Sequence, residues 1–289
     1  MSAPAGTEPA AYELREIEGP SALGGGSRRF FDLLWLISVT EFKKTFYGTA
    51  LGYVWSLFRP LLLFSVLLVV FTQIIKFETG AEHYAVLLLF NIVLFTFFQE
   101  ATGGAVTSVL AQEGIVRKTQ FPRLVIPLSS VLVALFSLGL NLVIVLIFIL
   151  GAGITPTWTW LLFPLILLPL LILTAALALL LSALNVRFRD VAIIWTVFAT
   201  ALFYVTPILY PLSTTPGLPK VVKDLLLVNP LTPILTQART WILEPSAPGA
   251  VAAAGGWTHL LPAAAIFVLV CVAGVWVFRR EAPRIAELL

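Results

Sequence analysis

EGIVRKTQFPRLVIPLSSVLVALFSLGLNLVIVLIFIL, residues 113–150, changes character at Leu124. Before that point come Glu113, Arg117, Lys118 and Arg123; from Leu124 to Leu150 there is no charge at all. A helix crosses the apolar core of a bilayer with about 20 mostly apolar residues. The run 124–150 is therefore expected to span a membrane, and the charged stretch before it marks the edge where that span meets water.

The rest of the chain repeats this contrast. It is 59% hydrophobic and 11% charged, with a mean hydropathy of +0.99. A soluble domain carries about 25% charged residues, so most of this chain is solvated by lipid. Spans are expected at about 52–75, 83–104, 124–150, 158–184, 191–210 and 260–278. Pro127, Pro164, Pro169 and Pro207 inside them are tolerable kinks in lipid. The expected fold is an all-α integral membrane protein with six transmembrane helices per subunit. Residues 1–27, polar and rich in Pro, Gly and Ala, read as a disordered cytosolic tail, and residues 28–289 as one membrane domain.

Charge sets the orientation. With the N-terminus inside, Arg15, Arg28, Arg29, Lys43, Lys44 and Arg59 fall on the cytosolic side. So do Arg117, Lys118 and Arg123, then Arg187 and Arg189, then Arg279, Arg280 and Arg284. Only Lys76, Lys220, Lys223 and Arg239 are left outside. The positive-inside rule then puts both termini in the cytosol, as an even number of spans requires.

Two apolar segments are not spans. In 29–47, Phe31, Trp35, Val39, Phe42 and Phe46 recur at helical spacing on one face. Such a helix lies along the membrane surface with Lys43 and Lys44 at the headgroups. In 218–243, two helices at about 219–228 and 233–243 flank Asn229-Pro230, and each is too short to cross. They form either an ordinary extracellular hairpin or a re-entrant gate packed against protein.

Several chemistries lack material. No Gly is followed by Lys, so there is no P-loop, and HExxH and GxSxG are absent. The aspartates, Asp32, Asp190 and Asp224, are scattered, and one cysteine, Cys271, supports no disulfide or metal set. His83 and His259 lie far apart and read as interfacial. The net charge of +3, without a dense basic block, argues against nucleic-acid binding. Glu100, toward the cytosolic end of the second span, is the one candidate for an ionisable group at membrane depth with a coupling role. It is either hydrogen-bonded to its neighbours or involved in substrate passage.

What stands out is the inner face. Proline ends or kinks a helix at the residue before it, so 113–120 fits a short helix ahead of Phe121-Pro122. Charged at Glu113 and Arg117-Lys118 and apolar at Ile115 and Val116, it suits a groove on another protein; a solvated loop is the alternative. LNVRFRDV (184–191) is a tight turn in which Arg187, Arg189 and Asp190 can pair locally or with Glu113.

In this order these stretches resemble the permease subunits of type-2 ABC exporters for cell-surface polysaccharides such as O-antigen, teichoic acid and galactan. YGTALGYVWSLFRPLL (47–62) is similar to the small-LG-x-x-W-x-x-x-x-P entry of the first span. GIVRKTQFPRLVIPLS (114–129) resembles the L-I-x-K-x-x-F-P element, and LNVRFRDV the V-x-(F/Y)-R-D turn. TPILYP (206–211) and NPLTPIL (229–235) match the end of the fifth span and the start of the gate. Gly114 departs from the pattern, where helical continuity is expected.

The resemblance implies a homodimer with two copies of a separate ABC ATPase, which would hold ATP and Mg. This chain then carries no cofactor, no metal and no catalytic residue. It implies an interface helix at 29–47, a coupling helix at Glu113–Gln120 and gate helices at about 218–243. ATPase docking would fall to Glu113, Ile115, Val116, Arg117, Lys118, Phe121, Pro122, Arg123, Arg187, Arg189 and Asp190. A glycan channel would use Tyr47, Tyr53, Trp55 and Phe58 with Phe198, Tyr204 and Tyr210, residues that also suit an ordinary interfacial belt. The fifth span carries Trp195 and Phe203 as well. Arg59, Lys43 and Lys44 are placed to meet a lipid diphosphate, unless Arg59 simply snorkels. The expected function is export of a polyprenyl-diphosphate-linked polysaccharide across the cytoplasmic membrane. A type-2 ABC exporter of lipids or drugs, or a membrane enzyme or secondary carrier, are the alternatives.

Overall fold

A computed structural model describes residues 26–46, 52, 54–76, 82–114, 122–212 and 220–282. Among them there is no strand. Helix α1 is Gly26–Phe46. Helix α2, Val54–Val69, closes in a π-type turn over Val70–Ile74. Then come α3 (Tyr84–Ala111) and α4 (Val125–Gly151). A 3-10 turn at Trp158–Leu162 leads into α5 (Phe163–Arg187), followed by α6 (Val191–Val205). Helices α7 (Lys220–Val228), α8 (Leu231–Ile242) and α9 (Ala250–Ala254) form a compact group. A last 3-10 turn, Trp257–Leu260, opens α10 (Leu261–Glu281).

Five of these are long and apolar enough to cross a bilayer: α2 with its π turn, α3, α4, and α5 and α10 with their 3-10 entries. The chain is a multi-pass, all-helical membrane protein. The stretch expected to span over 191–210 is helical only as far as Val205. At a rise of 1.5 Å per residue, α6 falls short of an apolar core about 30 Å thick. Pro207 is the cause. It pushes the residue before it out of the helical region, and Thr206 is extended, with φ −75° and ψ 141°.

The backbone beyond α6 does not face lipid bare. Asn91 Nδ2 donates to Ile208 O at 3.2 Å and the Tyr84 hydroxyl to Leu209 O at 3.0 Å. Ile208 and Leu209 are themselves buried. Non-helical backbone at membrane depth is tolerated only when protein covers it in this way.

Helix α3 is the centre of the bundle. In its apolar window 78% of residues are buried, against 11% in the window of α10. Leu87, Leu88, Phe90, Phe95 and Phe98 are almost wholly buried, and α2, α4, α5 and α6 all pack on it. Polar side chains pin the neighbours in place. Asn185 Nδ2 of α5 donates to Val106 O at 2.9 Å, Trp195 Nε1 of α6 to Thr102 Oγ1 at 3.1 Å, and Asn141 Nδ2 of α4 to Ser56 O of α2 at 3.2 Å. Bonds like these contribute about 1 kcal/mol each.

Helix α10 is held differently. It packs along α5, and a Cβ on Gly274 would overlap the Ala176 carbonyl. Small residues let membrane helices approach this closely. Gly274→Ala should therefore destabilise the fold by about 1–3 kcal/mol. Gly139→Ala, where nothing lies within 4 Å, should leave it unchanged or slightly more stable. Thermal unfolding of the two variants in one detergent checks this; equal midpoints would contradict the close approach.

Candidate functional site

A cleft bearing many polar side chains opens between α1, α2, α3 and α4. One lobe, of about 640 Å³, is lined by Glu41, Lys44, Thr107, Gln112 and Ser130 among others. The second, of about 830 Å³, is lined by Trp55, Arg59, Thr96, Gln99 and Ser137 among others. Thr45, Glu100 and Gly104 line both lobes. The space exists because the facing positions are small: Gly103 and Gly104 on α3, Ser129, Ser130 and Ser137 on α4.

Helix α1 roofs this cleft. Ser38, fully buried, donates to Leu34 O of its own helix at 2.6 Å and lies 3.4 Å from Ser129 O of α4. Trp35 and Phe42 set their rings edge-on to Phe136, with centroids 5.4 and 5.6 Å away. With α1 fastened there, its last turn brings Glu41, Lys44 and Thr45 over the first lobe. Phe31, Trp35 and Leu36 stay exposed, as a helix lying on lipid requires.

Two cations enter the cleft, each facing an acid. Lys44 Nζ meets Glu41 Oε1 at 2.9 Å, one turn away on α1. Arg59 Nη1 lies 3.9 Å from Glu100 Oε1, across from α2 to α3. The Arg59 side chain is 80% exposed and that of Glu100 only 31%. Lys43 is exposed on α1 and does not line either lobe.

The aromatic residues divide into two sets. Trp55 and Phe58 are exposed on α2, 6.4 Å apart, and Trp55 lines the second lobe. On α6, Phe198 and Tyr204 are exposed, whereas Trp195 and Phe203 are core residues. Trp195 sits between Phe98 and Phe198, and Phe203 between Phe95 and Tyr204. The sequence showed these α6 aromatics as one group; the structure gives only part of it a free face. Tyr210 is half-buried beyond the end of α6. Tyr47 and Tyr53 lie outside the described residues.

At the basic end of the bundle, α3 stops at Gln112, and Glu113 and Gly114 are helical again. Ile115, Val116, Arg117, Lys118 and Phe121 lie outside the described residues. Pro122 and Arg123 are half-buried and turn into α4, with Val125 N donating to Pro122 O at 3.0 Å. Val109, Ile126, Val186 and Ala282 form a small apolar cluster there. It brings the ends of α3, α5 and α10 to the start of α4. Arg187 pairs with Glu281 at 3.8 Å, a partner on α10 that the sequence did not reveal, and lies over the Phe188 ring. Arg189 and Asp190 are exposed at the turn.

The opposite end carries α7 and α8. Asn229 ties them to the end of α6: Nδ2 donates to Thr206 Oγ1 at 2.8 Å, and Leu231 N donates to its Oδ1 at 3.0 Å. Leu231, Ile234, Leu235, Ala238 and Ile242 of α8 join the main core, and Trp160 Nε1 donates to Ile242 O at 3.0 Å. Helix α8 thus packs against protein, the condition a re-entrant element must meet. Val221 and Leu225 of α7 are exposed.

Arg239 is not a solvated outer charge. It pairs with Glu244, and their side chains are 7% and 10% exposed. Removing one partner of a buried pair costs about 3–5 kcal/mol. Glu244→Ala should therefore lower the thermal midpoint by several degrees, and Arg239→Met with Glu244→Leu should recover most of the loss. Equal midpoints for Glu244→Ala and the wild type would mean that the pair contributes nothing.

Sequence reasoning singled out both Glu100 and Arg59 but missed their pairing, as it missed Glu41, Gln99 and Gln112 in the same cleft. Of the two acids, Glu100 alone carried a signal, being inside an apolar run. Among the described residues, no group of His, Cys, Asp and Glu is placed to hold a metal ion.

The model of one protein family, ABC-2 type transporter, matches residues 32–243, from α1 through α8. The O-antigen export system permease protein RfbA of Myxococcus xanthus is 29% identical over 248 residues, covering 86% of this chain and 91% of the relative. A protein of the same name from Klebsiella pneumoniae is 26% identical over 264 residues, 90% of this chain and 95% of the relative. A second from that organism is 28% identical over 214 residues, 72% of this chain and 79% of the relative.

Proposed function

The chain belongs to the ABC-2 type transporter family, and from that premise we propose that it is the permease subunit of an exporter for a polyprenyl-diphosphate-linked polysaccharide. The single observation that carries this reading is the two-lobed cleft: lined by polar and apolar groups together, roofed by α1, holding Lys44 and Arg59, and flanked by the exposed ring of Trp55. A lipid-linked glycan presents a diphosphate beside its apolar tail. The cleft offers cations beside apolar spans, and the relatives that match along most of their length are named as O-antigen export permeases.

In this reading the membrane is the cytoplasmic one and both termini are cytosolic. Two copies of the chain face each other, and Trp55 and Phe58 with Phe198 and Tyr204 supply sugar-stacking surfaces along the path between them. Two copies of an ABC ATPase, holding ATP and Mg, dock at the basic end. The stretch from Glu113 to Arg123, with the turn at Arg187, Arg189 and Asp190, transmits their closure. The α7–α8 group gates the outer mouth. The permease makes and breaks no covalent bond.

Deleting the chain's gene should make lipid-linked glycan accumulate inside the cell and vanish from its surface; unchanged surface glycan would overturn the proposal. A charge-assisted hydrogen bond to phosphate is worth about 1.5–3 kcal/mol. Arg59→Ala should accordingly cut export about tenfold or more while the protein still reaches the membrane, as sugar analysis of the cell surface would show. Glu113→Lys should lower export by weakening co-purification of the ATPase. Lost export with undiminished ATPase binding would move the handle elsewhere.

A further inference from the structure

The two ion pairs of the cleft are built differently. Lys44–Glu41 closes within one turn of one helix at hydrogen-bonding distance. Arg59–Glu100 joins two helices at 3.9 Å, too long for a hydrogen bond. Its members also differ in freedom. Glu100 is fixed on α3, the most buried helix of the bundle, whereas the Arg59 side chain is 80% exposed at the end of a long stem. The guanidinium can leave; the carboxylate stays. Glu100 also lines both lobes, with Lys44 in one and Arg59 in the other. A fixed carboxylate at the junction of a site for an anion opposes the ligand that the cations attract.

We propose that Glu100 is the resident counter-anion of Arg59, a specificity-determining residue that bars abundant monoanionic lipid headgroups and yields Arg59 to a diphosphate. This rests on the reading of the cleft as the headgroup site. The guanidinium fork takes carboxylate and phosphate oxygens with the same geometry, so Glu100 and the headgroup compete for one donor set. A ligand that needs Arg59 released binds with an affinity reduced by the fraction of time Arg59 is free. It also leaves Glu100 partly buried without its cation, which adds to the penalty. A phosphodiester headgroup has one anionic group with which to meet that cost. A diphosphate has a second anionic group, and so a larger charge, with which to meet it.

The test uses the full chain, purified with its ATPase in lipid nanodiscs, and a fluorescent polyprenyl diphosphate as probe. In phosphatidylcholine, Glu100→Gln should bind the probe about two- to sixfold more tightly than the wild type, the gain expected when a largely exposed pair releases Arg59. Adding phosphatidylglycerol should weaken probe binding to Glu100→Gln and leave the wild type unchanged. Glu100→Asp, which keeps the charge, should fall between the two. If Glu100→Gln does not assemble, Glu100→Asp decides alone, and no gain overturns the proposal. Wild-type affinity in Glu100→Gln, or equal competition by phosphatidylglycerol in both proteins, overturns it too. Loss of binding in Arg59→Ala with a silent Glu100→Gln would leave the headgroup site standing and remove only the counter-anion. Undiminished binding in Arg59→Ala would remove both.

Discussion

Helix α3 has almost no lipid to face. Its apolar window is mostly buried, so the polar groups buried there look to protein for partners, because lipid supplies none. That constraint arranges the rest. Asn91 holds the unwound backbone after α6, Thr102 takes the Trp195 indole, and the Val106 carbonyl takes Asn185 of α5. Large Phe and Leu side chains fill the space between these fixed points. Between lipid and protein the hydrophobic effect discriminates little. Packing and these few directed bonds therefore decide which face of each helix turns inward.

Glu100 is the member of this set whose partner is loosely held. The glycines and serines around it leave room where the rest of α3 is filled, and α1 covers that room with a turn bearing Glu41 and Lys44. The cleft and the core share one helix. A change in the tilt or rotation of α3 would therefore alter both the support for the chain after α6 and the spacing of Arg59 from Glu100. That coupling links the cleft to the α7–α8 end of the bundle through one helix.

The apolar runs were legible in the sequence because a span must be long and uncharged, whatever it packs against. Its ends were less so. Helix α3 continues to Ala111, past the expected 104, because Thr107, Ser108 and their neighbours keep helical bonds without being apolar enough to announce a span. Helix α6 stops early at Pro207, a residue that the sequence allowed as a mere kink. The helix ending at Phe46 and the Asn229-Pro230 break were readable from local spacing. The Arg59–Glu100, Arg187–Glu281 and Arg239–Glu244 pairs were not. The first two depend on how separate helices rotate against each other, and the third on burial of a segment that reads as an outer loop.

The central claim is that this chain is a passage worked by a separate motor. The direct measurement is the appearance of a polyprenyl-diphosphate glycan on the far leaflet of proteoliposomes containing the chain, its ATPase, or both. The account predicts ATP-dependent translocation with both proteins together and none with either alone. Translocation by the chain alone, or ATP-driven transport without it, would contradict the account.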